Sequence, residues 1–123
     1  MNALNMAREA YSAAAAPIRS ERSTEYQVFA NVTQRLRSAE TRGDFPSLSQ
    51  ALHDNRRLWT LLASDVADPG NGLPEDLRAR LFYLAEFVFH HTSRVLRGEA
   101  KAGALIEVNV AVMRGLQGEA GEP

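Results

Sequence analysis

The chain has no cysteine, a single tryptophan, and one lysine among fourteen basic residues. Without cysteine there are no disulfides, no thiolate metal sites and no thiol nucleophile, and the redox compartment stays open. Nor is there an unbroken apolar run of the ~18 residues that a membrane-spanning helix needs. No nucleophile elbow, phosphate-cradling loop or zinc-protease helix is present, so neither catalysis nor a cofactor is expected. Charge of one sign is also missing: fourteen Lys and Arg stand against fifteen Asp and Glu, a formal net charge of −1, with no basic run. That balance lacks the electrostatic footprint of a nucleic-acid binder. The predominance of Arg over Lys reads more economically as coding bias than as phosphate recognition. The opening stretch MNALNMAREAYSAAAAP has no basic leader, and Arg8 and Glu9 interrupt its apolar character. It is therefore not read as a secretion signal, and the cytoplasm is the expected location.

What is present is helical. With 123 residues, 45% of them hydrophobic, one domain is expected, burying roughly two thirds of its unfolded surface. Every long segment carries a helical period and none a strand period, which predicts an all-α, compact antiparallel bundle of four to five helices. Residues 1–16 are expected to be a loosely attached helical segment whose thin face carries Leu4, Ala7, Tyr11 and Ala14, ended by Pro17. Residues 17–118 form the bundle, and residues 119–123 are expected to be a disordered tail. Within the bundle the helices start near 20, 45, 74 and 101. The first is predicted to open between Ser20 and Thr24, with Thr24 and Gln27 as a capping box. Arg42-Gly43 closes it, and Asp44 or Ser47 caps the next. ADPGNGLP, residues 67–74, is the clearest loop. It lacks the alternating ligands of a calcium loop.

The stretch Leu48 to Val66, LSQALHDNRRLWTLLASDV, organises the chain. On a helix, Leu48, Ala51, Leu52, Leu58, Trp59, Leu62 and Val66 share one face, and Asn55 falls in its middle. Trp59 reads as core or as an anchor for a partner; Arg56 and Arg57 read as a solvated flank or as cations steering an acidic partner. Asp54 and Arg57 have the spacing of a surface ion pair. The helix from 74 carries two stripes: Leu77, Leu81, Leu84, Phe87, Val88, His91 and Val95, and nearly opposite them Phe82, Ala85, Phe89 and Leu96. Part of the second stripe is a candidate surface for another protein, or for a weak homodimer. Glu86 and His90 stand four apart but lack a third ligand, so no metal is expected. In the last helix, Ala102, Leu105, Ile106, Val112, Met113 and Leu116 surround Asn109. Asn55, His91 and Asn109 thus point toward one core. Because isolated burial of each is costly, at least two should touch each other or a backbone carbonyl.

Several of these residues carry a resemblance. Asn55-Arg56-Arg57-Leu58-Trp59 with the following ASDVADPGNGLPEDLRARL is similar to the central motif of the FlaF family, regulators of flagellin biosynthesis. Ala10-Tyr11, Thr24-Glu25-Tyr26, Arg97-Gly98-Glu99-Ala100, Leu105-Ile106-Glu107-Val108-Asn109 and Met113-Arg114-Gly115-Leu116 extend the likeness over residues 10–117. Val108, where Ile is usual, and a longer early Ala run are its departures. The resemblance implies a small cytoplasmic protein that promotes flagellin expression after transcription and its export, contacts flagellin, and works with or against a FlbT-like regulator.

The first functional expectation is therefore a protein-binding, chaperone-like adaptor, with Arg56, Arg57, Trp59, Phe82, Phe89 and Leu96 as contact candidates. Asn55, His91 and Asn109 are expected to give buried polar specificity. A direct mRNA-binding translational regulator is the alternative, and an enzyme the third reading.

Overall fold

Two glycines in left-handed backbone geometry, Gly43 (φ 64) and Gly98 (φ 76), divide the chain at its tightest connections. The computed structural model describes residues 18–121, which form four helices: α1 (Ile18–Arg42), α2 (Phe45–Ala67), α3 (Glu75–Leu96) and α4 (Gly103–Gly121). No strand occurs among the described residues. The segment 1–16 lies outside them, so its expected helix is not part of this description.

Both glycines close Schellman motifs. After α1, the amide of Gly43 donates to the Glu40 carbonyl and that of Asp44 to Ala39, each at 3.1 Å. After α3, Gly98 donates to Val95 at 3.0 Å and Glu99 to Arg94 at 2.8 Å. Only a residue without a β-carbon enters this conformation freely, which is why glycine stands at both points. Asp44 then caps α2. Its carboxylate accepts the Ser47 amide at 3.1 Å and the Ser47 hydroxyl at 2.8 Å, with Pro46 in the first turn, where no amide is needed. In the connection to α3, Asp68 accepts the Gly70 amide and Asn71 the Leu73 amide, both at 2.9 Å. These side chains tie the loop to itself.

Two boundaries differ from expectation. α1 is helical from Ile18, so Thr24 lies inside it and not at its N-cap. Nothing between Ile18 and Thr24 breaks a helix, and periodicity alone places ends poorly. α4 continues to Gly121, so residues 119–121 are helical where a disordered tail was expected. Glu119 and Ala120 favour helix, and the first true breaker is Pro123.

Short connections make successive helices antiparallel, and long-range hydrogen bonds set the remaining pairing. The Ala102 amide, at the start of α4, donates to the Glu40 carboxylate near the end of α1 at 2.6 Å. Seven residues on, Asn109 donates to the Thr33 hydroxyl at 3.1 Å, so α4 runs back along α1. The result is an up-down-up-down bundle in which α1 packs on α2 and α4, and α2 on α3. Packing between α3 and α4 is much slighter. Phe29, Leu36, Leu52, Trp59, Val88 and Leu105 fill the centre, each large apolar side chain contributing roughly 1.5–3 kcal/mol by leaving water. The Phe29 ring meets the Trp59 indole edge to face, at 5.8 Å and 81°.

α3 departs from its predicted two-stripe pattern. Ala85, assigned to the second stripe, is 0% exposed, and Phe87, assigned to the first, is 37% exposed. The buried set of Ala85, Val88, His91, Thr92 and Val95 forms one continuous face. Phe82, Phe89 and Leu96 therefore lie on the flank of that face and not opposite it.

Candidate functional site: a polar knot and two apolar flanks

Trp59 belongs to the core. It is 0% exposed, and its indole N–H donates to Asn109 Oδ1 at 2.8 Å. As a surface contact for a partner it is corrected: no part of the ring is accessible. Asn109 Nδ2 donates both to Asn55 Oδ1 at 2.8 Å and to the Thr33 hydroxyl. The carboxamide of Asn109 thus links α1, α2 and α4 at one point. Only one donor group is left without a partner in this knot, the buried Asn55 Nδ2. His91 is not a member. Its Nε2 meets the Lys101 carbonyl at 2.9 Å, and its ring stacks on Phe87 at 5.3 Å and 20°. Asn55 and Asn109 therefore meet directly, whereas His91 ties α3 to the segment leading into α4.

Polar contacts also identify which flank of each helix faces which neighbour. On α2, Asp54 accepts from Arg35 of α1 and from Gln50, so this flank faces α1. The Asp54–Arg57 pair expected from spacing does not form, because Arg35 reaches Asp54 from the neighbouring helix. The Arg35 guanidinium, as hydrogen-bond donor and nearby charge, holds the Asp54 carboxyl below the usual carboxylate range. Two residues further along a helix is a turn of about 200°. Arg56 accordingly sits on the opposite flank, toward α3, while Arg57 points outward; both are exposed, and neither forms an ion pair among the described residues.

On α3, Arg78 donates to the Asp68 carbonyl at the end of α2, at 3.1 Å. Phe82, Phe89 and Leu96 follow Arg78 at helical spacing and share its flank. Phe82, Leu96 and Arg56 are exposed and Phe89 is half-buried along this α2/α3 side. The contact candidates, less Trp59 and with Arg57 turned outward, thus occupy one side of the bundle.

The other flank of α3, marked by His91, carries Leu84 and Phe87 and looks toward α4. On α4 the flank toward α1 is marked by Ala102 and Asn109; the other carries Ala104, Val108 and Val112. Leu84, Ala104, Val108 and Val112 are all half-buried. The His91–Lys101 link sets the register: Leu84 stands seven residues before His91 and Val108 seven after Lys101, so the two face each other at one level. Because α3 and α4 pack so little on each other, these side chains border an apolar groove between consecutive helices that no other described helix covers. On the α4 side its wall is low, since Ala104 and the exposed Ala111 add little bulk around Val108. Sequence reading missed this groove. The signal available was α4 itself, where only Glu107, Arg114 and Glu119 are charged. Ala104, Val108 and Ala111 extend its apolar surface well beyond the Asn109 stripe, over more of the circumference than one neighbour covers.

Among the described residues no group of three or more His, Asp or Glu is placed to hold a metal, and Glu86 and His90 stand exposed on α3. No described helix is long and apolar enough to cross a membrane.

The described residues form an all-α antiparallel four-helix bundle. The chain belongs to the FlaF family: the family model for flagellar protein FlaF matches residues 7–116. Comparison with curated proteins and with solved structures found no match.

Proposed function

We propose that this protein regulates flagellin biosynthesis as a chaperone-like adaptor, binding flagellin and promoting its post-transcriptional expression and export together with a FlbT-like regulator. The observation that carries this reading is the α3/α4 groove. A bundle whose described helices leave one side uncovered can accept an amphipathic helix as a further member, laying the guest's apolar face between Leu84 and Phe87 on one wall and Val108 and Val112 on the other. Family membership supports flagellin as the guest, and binding before export places the event in the cytoplasm. The α2/α3 side, with Phe82, Leu96 and Arg56, and with Arg57 outward beside it, is the surface for an acidic face of the regulator. Two occupied sides on one small bundle permit the coupling that regulation requires, in which one partner alters affinity for the other.

The test is titration of purified flagellin, and separately of its messenger leader RNA, into the protein, followed by heat and by Trp59 fluorescence. Flagellin binding is expected to saturate and to survive raised salt. Phe87→Glu, in the groove, should weaken it by at least about tenfold, as an anchor's removal does; Phe82→Glu, on the other side, should leave it near the wild-type value. Binding of RNA alone, with a steep salt dependence, overturns the adaptor reading in favour of direct messenger recognition.

A further inference from the structure

Three apolar residues on the α2/α3 side of the bundle, Phe82, Phe89 and Leu96, follow one another at intervals of seven. We propose that two copies of the chain pair through this side about a two-fold axis at Phe89, forming a weak dimer in which Arg56 of each copy meets Glu86 of the other.

The spacing is self-complementary. An axis at Phe89, perpendicular to α3, sets the two α3 helices antiparallel and lays Phe82 of each copy on Leu96 of the other. Seven residues fall about 20° short of two full turns, so the row drifts slowly around the helix. Two helices crossing at about 20° keep such a row in contact along its length, as in a coiled-coil seam. Phe82 and Leu96 are each 43% exposed, and Phe89 is half-buried between them. α2 extends the patch. Phe45 precedes Asp54 by nine residues and so stands half a turn off the flank that faces α1. Its ring, 55% exposed, lies on the α3 side, at the end of the bundle where α3 finishes.

Charge is complementary under the same operation. The bond from Arg78 to the Asp68 carbonyl fixes the level of α3 against α2. Twelve residues back from Asp68 is Arg56, and twelve on from Arg78 is His90. Arg56 therefore stands within about 2 Å of the level of Phe89. Glu86 lies on the solvent side of the row, away from α2 and three residues before Phe89. The two-fold carries it across the row and over α2 of the other copy, to within about 3 Å of the level of Arg56 there. Both residues are exposed, and neither forms an ion pair among the described residues. The dimer gains two such pairs, one on each side of the apolar row.

Area sets the strength. At roughly 150–250 Å² for a large side chain, the exposed parts of Phe45, Phe82 and Leu96 total roughly 250–300 Å² per copy. With the polar rim that such a contact carries, each copy buries roughly 500 Å². A stable interface takes about 800 Å² per partner, so this dimer belongs with the transient contacts and exchanges freely, with Kd of roughly tens to hundreds of micromolar. The same side is proposed for the regulator, so regulator and dimer compete; that competition alone rests on the proposed function.

Sedimentation equilibrium of the full chain between about 5 and about 500 µM tests the pairing. Apparent mass should rise with concentration from 13.6 kDa toward twice that value. Phe82→Glu should weaken association at least about tenfold, and Phe87→Glu, on the α4 flank, should leave it unchanged. Arg56→Glu and Glu86→Arg should each weaken it at least about threefold, because each sets like charges together twice in its own dimer. An equimolar mixture of these two variants should associate as the unaltered chain does, since the mixed dimer restores opposite signs at both contacts. A pairing of the two residues within one chain cannot produce that rescue. All four altered positions are exposed, so the core is kept. A chain still monomeric at about 500 µM, a dimer indifferent to Phe82→Glu, or a mixture no better than its components would overturn the proposal. None of these outcomes bears on flagellin binding, which is placed on the α3/α4 side.

Discussion

Replacing Asn109 by leucine tests the polar knot at its centre. Leucine is not far from asparagine in size, so the change removes hydrogen bonds without opening a large cavity. Three are lost: from Trp59, to Asn55 and to Thr33. The Thr33 hydroxyl can rotate onto a carbonyl one turn back in its own helix and costs least. The Trp59 N–H has no such alternative. Asn55 fares worst, because its Nδ2 is already unpartnered and the loss of Asn109 strands its oxygen too. Two buried groups left unsatisfied, at about 1–3 kcal/mol each and partly offset by the added apolar burial, predict a loss of about 2–4 kcal/mol. That is a large share of the roughly 5–15 kcal/mol that holds a domain of this kind folded. Urea unfolding followed by the emission of Trp59, the one tryptophan, reads the loss directly. The reasoning also requires strong coupling. In Asn55→Leu/Asn109→Leu both amides are gone and only the Trp59 N–H is orphaned, so the double variant should be more stable than the sum of the single losses by at least about 1 kcal/mol. A single-variant cost under about 0.5 kcal/mol, or simple additivity of the two, would refute the account.

The two capping glycines give a cleaner backbone prediction. No atom lies within 4 Å of a β-carbon built at Gly43 or Gly98, so Gly43→Ala and Gly98→Ala should each cost about 1 kcal/mol from backbone strain alone, additively in the double variant; cooperative or negligible losses in urea melts would count against the Schellman geometry. Acidification should also destabilise the protein. Ser47 holds the Asp44 carboxyl, Arg35 the Asp54 carboxyl and Arg97 the Glu99 carboxyl below the ordinary carboxylate range. The folded state therefore binds fewer protons than the unfolded chain as pH falls from about 5 to about 3, and the stabilisation present at neutral pH is lost across that window. A flat urea midpoint over the same range would contradict this sign.

Helix number, type and order were legible in the sequence because they depend on local chemistry: periodicity, the glycines at 43 and 98, the acidic cap at 44, and the Pro and Gly between 67 and 74. Family membership was legible for the same reason, since its motifs are runs of neighbouring residues. The burial of Asn55 and Asn109 was legible too, because a polar residue inside an apolar stripe signals itself. Which partner each found was not. The bond from Asn109 to Trp59 joins residues 50 apart, and whether His91 joined that knot depended on its angle around α3, which only the packing of α2 against α3 decided. Arg35 took Asp54 from Arg57 by a contact 19 residues away in the chain. The open side was invisible for a like reason. A sequence states how much of a helix is apolar, and only the assembled bundle decides which part its neighbours cover; here α4 lies along α1, and among the described helices none covers the flank carrying Ala104 and Val108.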